Sequence, residues 1–118
     1  AQLVTDAEIY MGCAVVFSDS VPAELSVVVP QAANDLLTIN GVEASFVAVD
    51  NGAQVSVSAR SMGDVNVQVI MEKLGGGGHL TMAGAQLRNA SLEEAKRRLL
   101  DAISEYRESQ RTEKQKNS

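Results

Sequence analysis

The chain has 118 residues, of which 45% are hydrophobic, and it carries a formal net charge of −5. This length is enough for one compact core, whereas two independent cores would each be too small to hold themselves together. The negative charge disfavours a protein that follows a nucleic-acid backbone, because that task depends on clustered Lys and Arg. A small anionic ligand bound at a local site is still compatible with this composition.

The numbers of cysteine and aromatic residues argue against further kinds of site. Cys13 is the single cysteine, so the chain can form neither an intrachain disulfide nor a CxxC metal site, and it suits a reducing cytoplasm. We expect Cys13, which opens the apolar run 13–17, to fill space as a small buried residue. Base stacking on aromatic side chains is poorly supported, because the chain has no Trp, two Tyr and two Phe.

No segment of the sequence suggests a membrane span. About 20 consecutive apolar residues are needed to cross a bilayer, and no stretch approaches this. Because the chain begins with Ala1 rather than Met, we expect it to be a piece of a larger protein, and a membrane segment elsewhere in that protein stays open.

The first predicted elements are a buried strand and a helix. Residues 13–17 form a short β-branched run before a turn-rich segment, which is typical of a central strand buried on both faces. Apolar residues from Leu25 to Ile39 then recur at near-helical spacing. Pro30 interrupts them, so we place it in the first helical turn, where its missing N–H costs nothing, and we expect the helix to end near Gly41.

A β-hairpin is predicted next. The segments 44–50 and 53–60 alternate with a period of two, and Asn51-Gly52 between them is the favoured pair for a two-residue hairpin turn. Alternate residues of the second strand share one apolar face, and the others make the opposite face polar. The polar face consists of Gln54, Ser56, Ser58 and Arg60.

Another helix is predicted before the glycine-rich segment. Asp64 can serve as its N-cap, and we expect the helix to stop at Gly75. After the glycines, residues 80–83 are expected to form a short helical turn and residues 84–87 an edge strand. The apolar residues of the helix recur at i, i+3, i+4 and i+7, which predicts docking through one stripe: Val67, Ile70, Met71 and Leu74.

The last predicted helix starts at a capping box formed by Ser91 and Glu94. Charged i, i+4 pairs on its solvated face favour helix support over a ligand site. The polar run 107–118 lacks an apolar stripe and is predicted to be a disordered tail, so the folded domain is expected to span residues 1–106. The predicted buried stripe is Leu92, Ala95, Leu99, Ile103 and Tyr106, and the predicted pairs are Glu93 with Arg97 and Glu94 with Arg98.

The most distinctive feature is the run Gly75-Gly76-Gly77-Gly78-His79. Four consecutive glycines are costly to order, because glycine loses more backbone freedom on folding than any other residue. Their benefit is that backbone N–H groups can converge on phosphate oxygens without side-chain interference. If His79 begins a helical turn, the helix dipole adds to the attraction, and the imidazole can donate to a phosphate or exchange a proton. A plain helix-terminating hinge is the alternative interpretation.

Arg60 and Ser61 are the other candidate ligand contacts. The Arg60 guanidinium suits phosphate, and Ser61 adds a hydroxyl donor. Both precede the turn into the helix that carries the glycines, which favours a shared site, although an arginine that ends a strand is more often just solvent-facing. Asn66 could contact a polar ligand edge, but an Asn in the first turn of a helix is more often structural.

No catalytic or metal-binding constellation is found in the sequence. The acidic residues fall in a turn, a cap and the last helix, and they do not form a catalytic pair. Ser61 and His79 lack a third residue to orient the imidazole. Without a second His or a carboxylate at ligand spacing, there is no complete metal site. Catalysis by this chain alone is therefore not expected.

Four short segments carry a family resemblance: Ser58-Ala59-Arg60-Ser61, Asn66-Val67, Leu74 to His79, and Ala83-Gly84-Ala85. In this order and spacing they resemble the DHH-associated domain, which is the C-terminal half of the DHH phosphoesterases. The resemblance covers roughly residues 10–105 and implies a single α/β domain with a small mixed β-sheet and packed helices. The longer segments that look most like the membrane-anchored cyclic di-AMP phosphodiesterases are 36–37, 41–47 and 66–74.

This resemblance implies a division of labour between two domains. In the family, an N-terminal DHH domain binds two manganese ions and activates the attacking water, and the associated domain holds the substrate. This chain has no Asp-His-His motif, so the metals and the catalytic residues would belong to an absent DHH domain. Arg60 and Ser61 would contact phosphate or base, Gly75 to Gly78 would cradle the nucleotide, and His79 would bind the phosphate near the metals.

The function implied is the cytoplasmic substrate-binding domain of a membrane-anchored, manganese-dependent signalling phosphodiesterase that opens cyclic di-AMP to a linear dinucleotide. At Met82-Ala83-Gly84-Ala85 the chain departs from the Asn and two alanines typical of those enzymes. An oligonucleotide or adenosine-bisphosphate phosphatase is therefore the enzymatic alternative, and a structural or dimerisation domain is the alternative of another class. The expected partners are a small nucleotide and the DHH domain, with no extended nucleic acid and with a homodimer left open.

Overall fold

The computed structural model describes residues 7–19 and 28–116 as a six-stranded sheet with three helices. The strands are β1 (Glu8–Tyr10), β2 (Cys13–Ser18), β3 (Ala44–Asp50), β4 (Gln54–Ser61), β5 (Gly77–Gly78) and β6 (Met82–Arg88). The helices are α1 (Val28–Leu36), α2 (Val67–Glu72) and α3 (Leu92–Lys116).

The sheet is mixed, as predicted. Its strand order is β1-β2-β3-β4-β6-β5, in which β2 and β3 are parallel and every other neighbouring pair is antiparallel. A parallel pair needs a long crossover connection, and α1 lies in the connection between β2 and β3. The predicted α/β class, a small mixed sheet with packed helices, is thereby confirmed.

Apolar cores lie on both faces of the sheet, but they cover different areas. Helices α2 and α3 cover one face, where Phe46, Ile70 and Leu99 are fully buried. Helix α1 covers part of the opposite face and packs on side chains of β2 and β3 such as Val16 and Val47. Among the described residues, this second core contains no member from β4, β5 or β6. On that part of the sheet, this face carries the polar side chains of β4, which are half-buried.

The central strand predicted from residues 13–17 is β2, which lies inside the sheet between β1 and β3. Its first four residues are buried. Cys13 is fully buried, which confirms its interpretation as a small core residue. Burial raises the pKa of the Cys13 thiol, against the opposing effect of the nearby Arg107 guanidinium.

Helix α1 is shorter than predicted. Pro30 lies in its first turn, as expected, and Leu25 lies outside the described residues. The helix ends at Leu36 rather than near Gly41, so the predicted end is wrong. The backbone N–H groups of residues 37–39 donate to carbonyls three residues earlier, which tightens the chain from a helix into turns.

The predicted hairpin joins β3 to β4, but its turn lies one residue later than predicted. Asp50 pairs with Val55, so the two central turn residues are Gly52 and Ala53. Gly52 takes a positive φ of +97°, and the Asn51 side-chain oxygen accepts a hydrogen bond from the backbone N–H of Ala53 at 3.0 Å. The two faces of β4 are as predicted, because its residues alternate between half-buried and buried.

Helix α2 is capped by Asn66 rather than by the predicted Asp64. The Asn66 side-chain oxygen accepts hydrogen bonds from two first-turn backbone N–H groups, at 3.1 and 3.4 Å, so the structural interpretation of this residue is confirmed. The helix ends at Glu72, and a further turn leads to Gly75. The predicted docking stripe is confirmed, because all four of its residues are buried: Val67, Ile70, Met71 and Leu74.

The prediction for the segment after the glycines is wrong. Residues 80–83 form no helical turn, because Gly77 and Gly78 form the short strand β5 and the chain then turns directly into β6. Strand β6 pairs with β4 along its length, so β5 takes the edge position predicted for residues 84–87. Pairing with β6 gives the backbone polar groups of these glycines hydrogen-bond partners in the sheet.

Helix α3 starts at the predicted cap, where the Ser91 hydroxyl accepts the N–H of Glu94 at 3.1 Å. The predicted stripe is confirmed, since its five residues are buried or packed against the core. The ion pairs on its surface differ from the predicted ones, because the long Arg97 side chain reaches other carboxylates. In place of the predicted pairs, Arg97 pairs with Glu94 and with Asp101, each at 3.7 Å.

Helix α3 is longer than predicted, and residues 107–116 are helical instead of a disordered tail. Arg107 ties this part to the core through an ion pair with Glu43 at 2.7 Å. The Gln110 side chain donates to the carbonyl of Asp64 at 3.2 Å. These partners are distant in sequence, which is why the polar run alone suggested disorder. Neither α3 nor any other helix in the described ranges is long and apolar enough to cross a bilayer.

The cap of α2 predicts different costs for two nearby substitutions. Asn66→Ala should lower the free energy of unfolding by about 1 kcal/mol, because it removes the N-cap acceptor. Asp64→Ala is the matched control and should change this energy by less than about 0.5 kcal/mol, since its side chain is exposed and does not cap the helix. Urea unfolding of the three proteins gives both values. Equal costs for the two variants would contradict the assignment.

Candidate functional site

The glycine run begins as the C-terminal stop of α2. Gly75 has a φ of +86°, and its N–H donates to the carbonyl of Glu72 at 3.1 Å. The N–H of Gly76 donates to the carbonyl of Met71 at 2.8 Å, which completes a Schellman arrangement and satisfies the last helical carbonyls. The hinge interpretation therefore explains Gly75, but as an ordered helix end and not as a flexible joint.

Gly76 and Gly78 are required by the close approach of the loop to β6. A Cβ on Gly76 would lie 2.1 Å from the carbonyl oxygen of Gly84. A Cβ on Gly78 would lie 2.5 Å from the Cα of Ala83. Both contacts are with backbone atoms, which cannot move aside as the end of a flexible side chain can. These two glycines are therefore explained by the fold itself.

Gly77 is the residue of the run that the fold does not require. Its φ lies outside the positive range that favours glycine, and a Cβ built on it would meet no atom within 4 Å. An ordinary side chain would therefore fit at this position. Bare backbone beside open space is what the close approach of a ligand needs.

His79 ends the run at a tight turn into β6. Its N–H donates to the carbonyl of Met82 at 2.7 Å, so residues 79–82 close the turn. The predicted helical turn is absent, and with it the expected contribution of a helix dipole to anion binding. The imidazole is exposed and has no hydrogen bond or ion pair within the described part of the chain. It is therefore available to a ligand.

Arg60 lies beside this turn, at the end of β4. It pairs with Met82, whose carbonyl accepts the His79 N–H, so the structure brings two of the predicted contacts onto adjacent segments. The half-buried guanidinium donates from Nη1 to the carbonyl of Ala59 at 2.8 Å. Its Nε is buried without a hydrogen-bond partner among the described residues, and burial lowers the pKa of the guanidinium. An arginine stays charged under such a shift, so the site contains a partly desolvated cation.

Ser61 is brought to the same place, but its hydroxyl faces the interior. Its residue is 6% exposed, and the hydroxyl donates to the carbonyl of Val65 at 2.6 Å and lies 3.3 Å from the carbonyl of Leu80. The N–H of Gly63 donates to the same hydroxyl at 3.3 Å. Ser61 thus holds the turn after β4 against the turn after the glycines. A direct ligand contact would require the hydroxyl to leave these partners.

An open groove with a volume of about 580 Å³ lies beside the glycine loop, over strands β4 and β6. Its floor is a row of small residues, Ser58, Gly84 and Gly77, which are paired in register across β4, β6 and β5. Arg60 lies on the same face, two residues further along β4 towards the His79 turn. Among the residues that the structure describes, no acidic residue lines the groove, although the chain as a whole is acidic.

The polar residues at the other end of the groove are not among the predicted site residues. Gln86 and Arg88 project from β6 to the same face and line the groove. Gln86 Oε1 accepts hydrogen bonds from the Ser56 hydroxyl at 3.0 Å and from the Gln54 amide. A period-two interpretation of residues 82–88 would have found them. The helical turn predicted at the start of this segment hid that pattern.

The groups around the groove suit the binding of an anionic, polar ligand. They are amides, hydroxyls, a guanidinium and an imidazole, all of which can donate hydrogen bonds. Within the described ranges there is no group of three or more His, Cys, Asp or Glu side chains that could hold a metal ion.

A model of the DHHA1 domain family matches residues 22–109. The chain is 51% identical over 96 residues to the cyclic-di-AMP phosphodiesterase GdpP of Geobacillus thermodenitrificans. It is 44% identical over 108 residues to the cyclic-di-AMP phosphodiesterase PdeA of Listeria monocytogenes. These matches cover 80% and 90% of this chain but only 15% and 16% of the two relatives. The chain thus corresponds to a small part of each of them.

Two more distant matches broaden the comparison. The bifunctional oligoribonuclease and PAP phosphatase NrnA of Thermus thermophilus is 44% identical over 72 residues, which cover 57% of this chain and 22% of that protein. The crystal structure of an exopolyphosphatase-related protein from Bacteroides fragilis aligns with a TM-score of 0.76 at 22% identity, covering 89% of this chain and 33% of the other. The alignment with the Bacteroides fragilis structure shows a shared fold.

The fold requires glycine at position 76 but not at position 77, so alanine substitutions at these positions should affect stability differently. Gly76→Ala should lower the free energy of unfolding by about 2 kcal/mol or more, because the new methyl group overlaps the backbone of β6. Gly77→Ala should lower it by no more than about 0.5 kcal/mol, because its methyl group meets open space. Chemical denaturation measures both. A Gly77→Ala variant as unstable as Gly76→Ala would refute this account of the loop.

Proposed function

This chain belongs to the DHHA1 domain family, and on that premise we propose that it is the substrate-binding domain of a cyclic di-AMP phosphodiesterase. Two relatives that are 51% and 44% identical to it bear that activity in their names. The chain would hold the cyclic dinucleotide in the groove while a DHH domain of the same parent protein hydrolyses one phosphodiester bond. The product would be a linear dinucleotide.

The observation that carries this proposal is the bare backbone at Gly77. The neighbouring glycines have structural reasons, whereas this position has room for a side chain and bears none. In the floor of the groove it is in register with Gly84 and Ser58. A flat, low surface lets a phosphate or a sugar lie against backbone atoms without displacing a side chain.

Arg60 and His79 supply the charge and the donors at one end of this floor. The Arg60 guanidinium is partly withdrawn from water, which strengthens its attraction to a phosphate relative to a fully solvated cation. The exposed His79 imidazole adds a donor from the turn on the adjacent strand. We assign to both residues the task of holding the phosphodiester in a fixed orientation.

Ser61 is assigned a positioning role in the same site. Its hydroxyl joins the end of β4 to the turn that carries His79, through the carbonyls of Val65 and Leu80. Through these contacts it would hold Arg60 and His79 at a fixed separation. This assignment replaces the direct ligand contact as the main task of the hydroxyl, since the residue is 6% exposed.

Manganese and the attacking water are assigned to the DHH domain and not to this chain. The described residues contain no cluster that fits a metal ion. The relatives are several times longer than the matched region, because that region covers 15% and 16% of them. We propose that the rest of the parent protein includes the DHH domain and a membrane anchor, and that the present domain lies in the cytoplasm.

An oligonucleotide or adenosine-bisphosphate phosphatase is the second candidate. It is favoured by the 44% identity to NrnA, although that match covers 57% of the chain. The two candidates differ in the ligand that the groove should prefer. Competition between cyclic di-AMP and adenosine 3′,5′-bisphosphate for the same chain separates them, because the tighter ligand identifies the substrate class.

Removal of the Arg60 guanidinium should weaken nucleotide binding. Arg60→Ala should raise the Kd for cyclic di-AMP about tenfold to a hundredfold, since hydrogen bonds to charged groups contribute about 1.5–3 kcal/mol. Isothermal titration calorimetry measures the change. Arg97→Ala is the control, because this arginine lies on α3 and pairs with Glu94 and Asp101. No saturable binding by the unmodified chain, or equal effects of the two variants, would overturn the proposal.

A side chain in the floor of the groove should block the ligand without unfolding the protein. Gly77→Val should leave the fold intact, because the position faces open space. It should raise the Kd for cyclic di-AMP by about tenfold or more through steric overlap. Titration paired with circular dichroism tests both parts. Unchanged affinity in a folded variant would place the ligand elsewhere on the domain, whereas a lack of binding by the unmodified chain would favour a purely structural or dimerisation domain.

A further inference from the structure

The end of the groove away from Arg60 carries a preorganised amide. Gln86 projects from β6, and its Oε1 accepts hydrogen bonds from the Ser56 hydroxyl and from the Gln54 amide. A free glutamine side chain loses considerable rotamer entropy when it binds a ligand. Part of that cost is already met by the fold here, because two neighbours on β4 hold the amide in place.

These hydrogen bonds determine which donors and acceptors of the cluster stay free. Gln86 and Ser56 line the groove, and Gln54 is hydrogen-bonded to Gln86. With its oxygen occupied twice, the Gln86 amide retains N–H donors, and the Gln54 side chain retains its oxygen as an acceptor. One donor and one acceptor therefore lie side by side. This is the pattern with which amide side chains recognise the edge of a nucleobase.

The position of the cluster suits the base of a nucleotide whose phosphate lies at Arg60. The pair of Gln86 with Ser56 and the pair of Arg60 with Met82 are four residues apart along the strands, which corresponds to about 13 Å. The arginine side chain reaches part of the way along this separation. A nucleotide can span the rest, with its sugar over the small residues that lie between Arg60 and Gln86. No aromatic residue in the described part of the chain lines the groove, so a base would be recognised by its edge and not by stacking.

We propose that Gln86, oriented by Gln54 and Ser56, is the base-reading residue of the groove. This inference rests on the proposed function, because it takes the ligand to be a nucleotide with its phosphate at Arg60. Gln86 would contact the ligand directly, and Gln54 and Ser56 would act as positioning residues. Recognition would then depend on the base as well as on the phosphates.

The test compares two ligands that carry the same phosphates. One is the linear dinucleotide with two adenines, and the other is the same dinucleotide with both bases removed. The unmodified chain should bind the first about tenfold more tightly, since a well-placed amide contact discriminates by about 1–3 kcal/mol. Gln86→Leu should raise the Kd of the adenine ligand to that of the abasic one and leave the abasic Kd unchanged.

A matched control and a second variant sharpen the comparison. Gln68→Leu removes another glutamine, on α2 and away from the groove, whose amide donates to Glu72, so it should alter neither Kd. Gln86→Glu retains an acceptor for Ser56 and Gln54 but loses the donors, and it should lower the ratio of the two affinities as Gln86→Leu does.

The outcomes separate this inference from the function on which it rests. If the unmodified chain binds neither of these ligands nor cyclic di-AMP, the proposed function fails. If it binds both, and Gln86→Leu weakens them equally or not at all, nucleotide binding stands and base reading by Gln86 is overturned. Selective loss of the adenine preference in both Gln86 variants, with Gln68→Leu unchanged, supports the inference.

Discussion

The close approach of two backbones, one in the glycine loop and one in β6, is the constraint on which the site depends. At Gly76 and Gly78 the two backbones lie too near each other for a Cβ on either residue. This distance lets β5 pair with β6 and extend the sheet by an edge strand. The chain then turns within a few residues, so His79 lies beside the end of β4. The loop therefore has a structural role in the sheet, in addition to its proposed role as a ligand contact.

Where the groove lies follows from the unequal covering of the sheet. Helices α2 and α3 cover one face, whereas α1 packs on β2 and β3 on the other. The strict alternation of β4 gives this second face a row of polar, half-buried residues. Because β6 is in register with β4, its alternate residues extend that row towards the glycines. A polar surface formed by backbone register is well suited to a polar ligand that approaches from solvent.

Features set by local pattern could be predicted from the sequence, and features set by distant contacts could not. The hairpin faces and the buried stripes of α2 and α3 follow from periodicity alone, and the structure confirms them. The end of α3 depends on the contact of Arg107 with Glu43, which no local pattern indicates. The inward direction of Ser61 depends on Leu80, across the glycine loop. Family motifs predicted a shared site for Arg60 and His79, which lie on adjacent segments, but they did not distinguish Gly77 from its neighbours.

The contacts at the two ends of the glycine loop have a dynamic consequence. The loop leaves the C-terminal end of α2 through the bond from Gly76 to Met71, and it returns to the other end of the same helix, where the Val67 N–H donates to Leu80 at 3.0 Å. The loop is therefore hydrogen-bonded to α2 near both of its ends. A displacement of the loop relative to α2 during ligand capture or release would have to break one of these two hydrogen bonds.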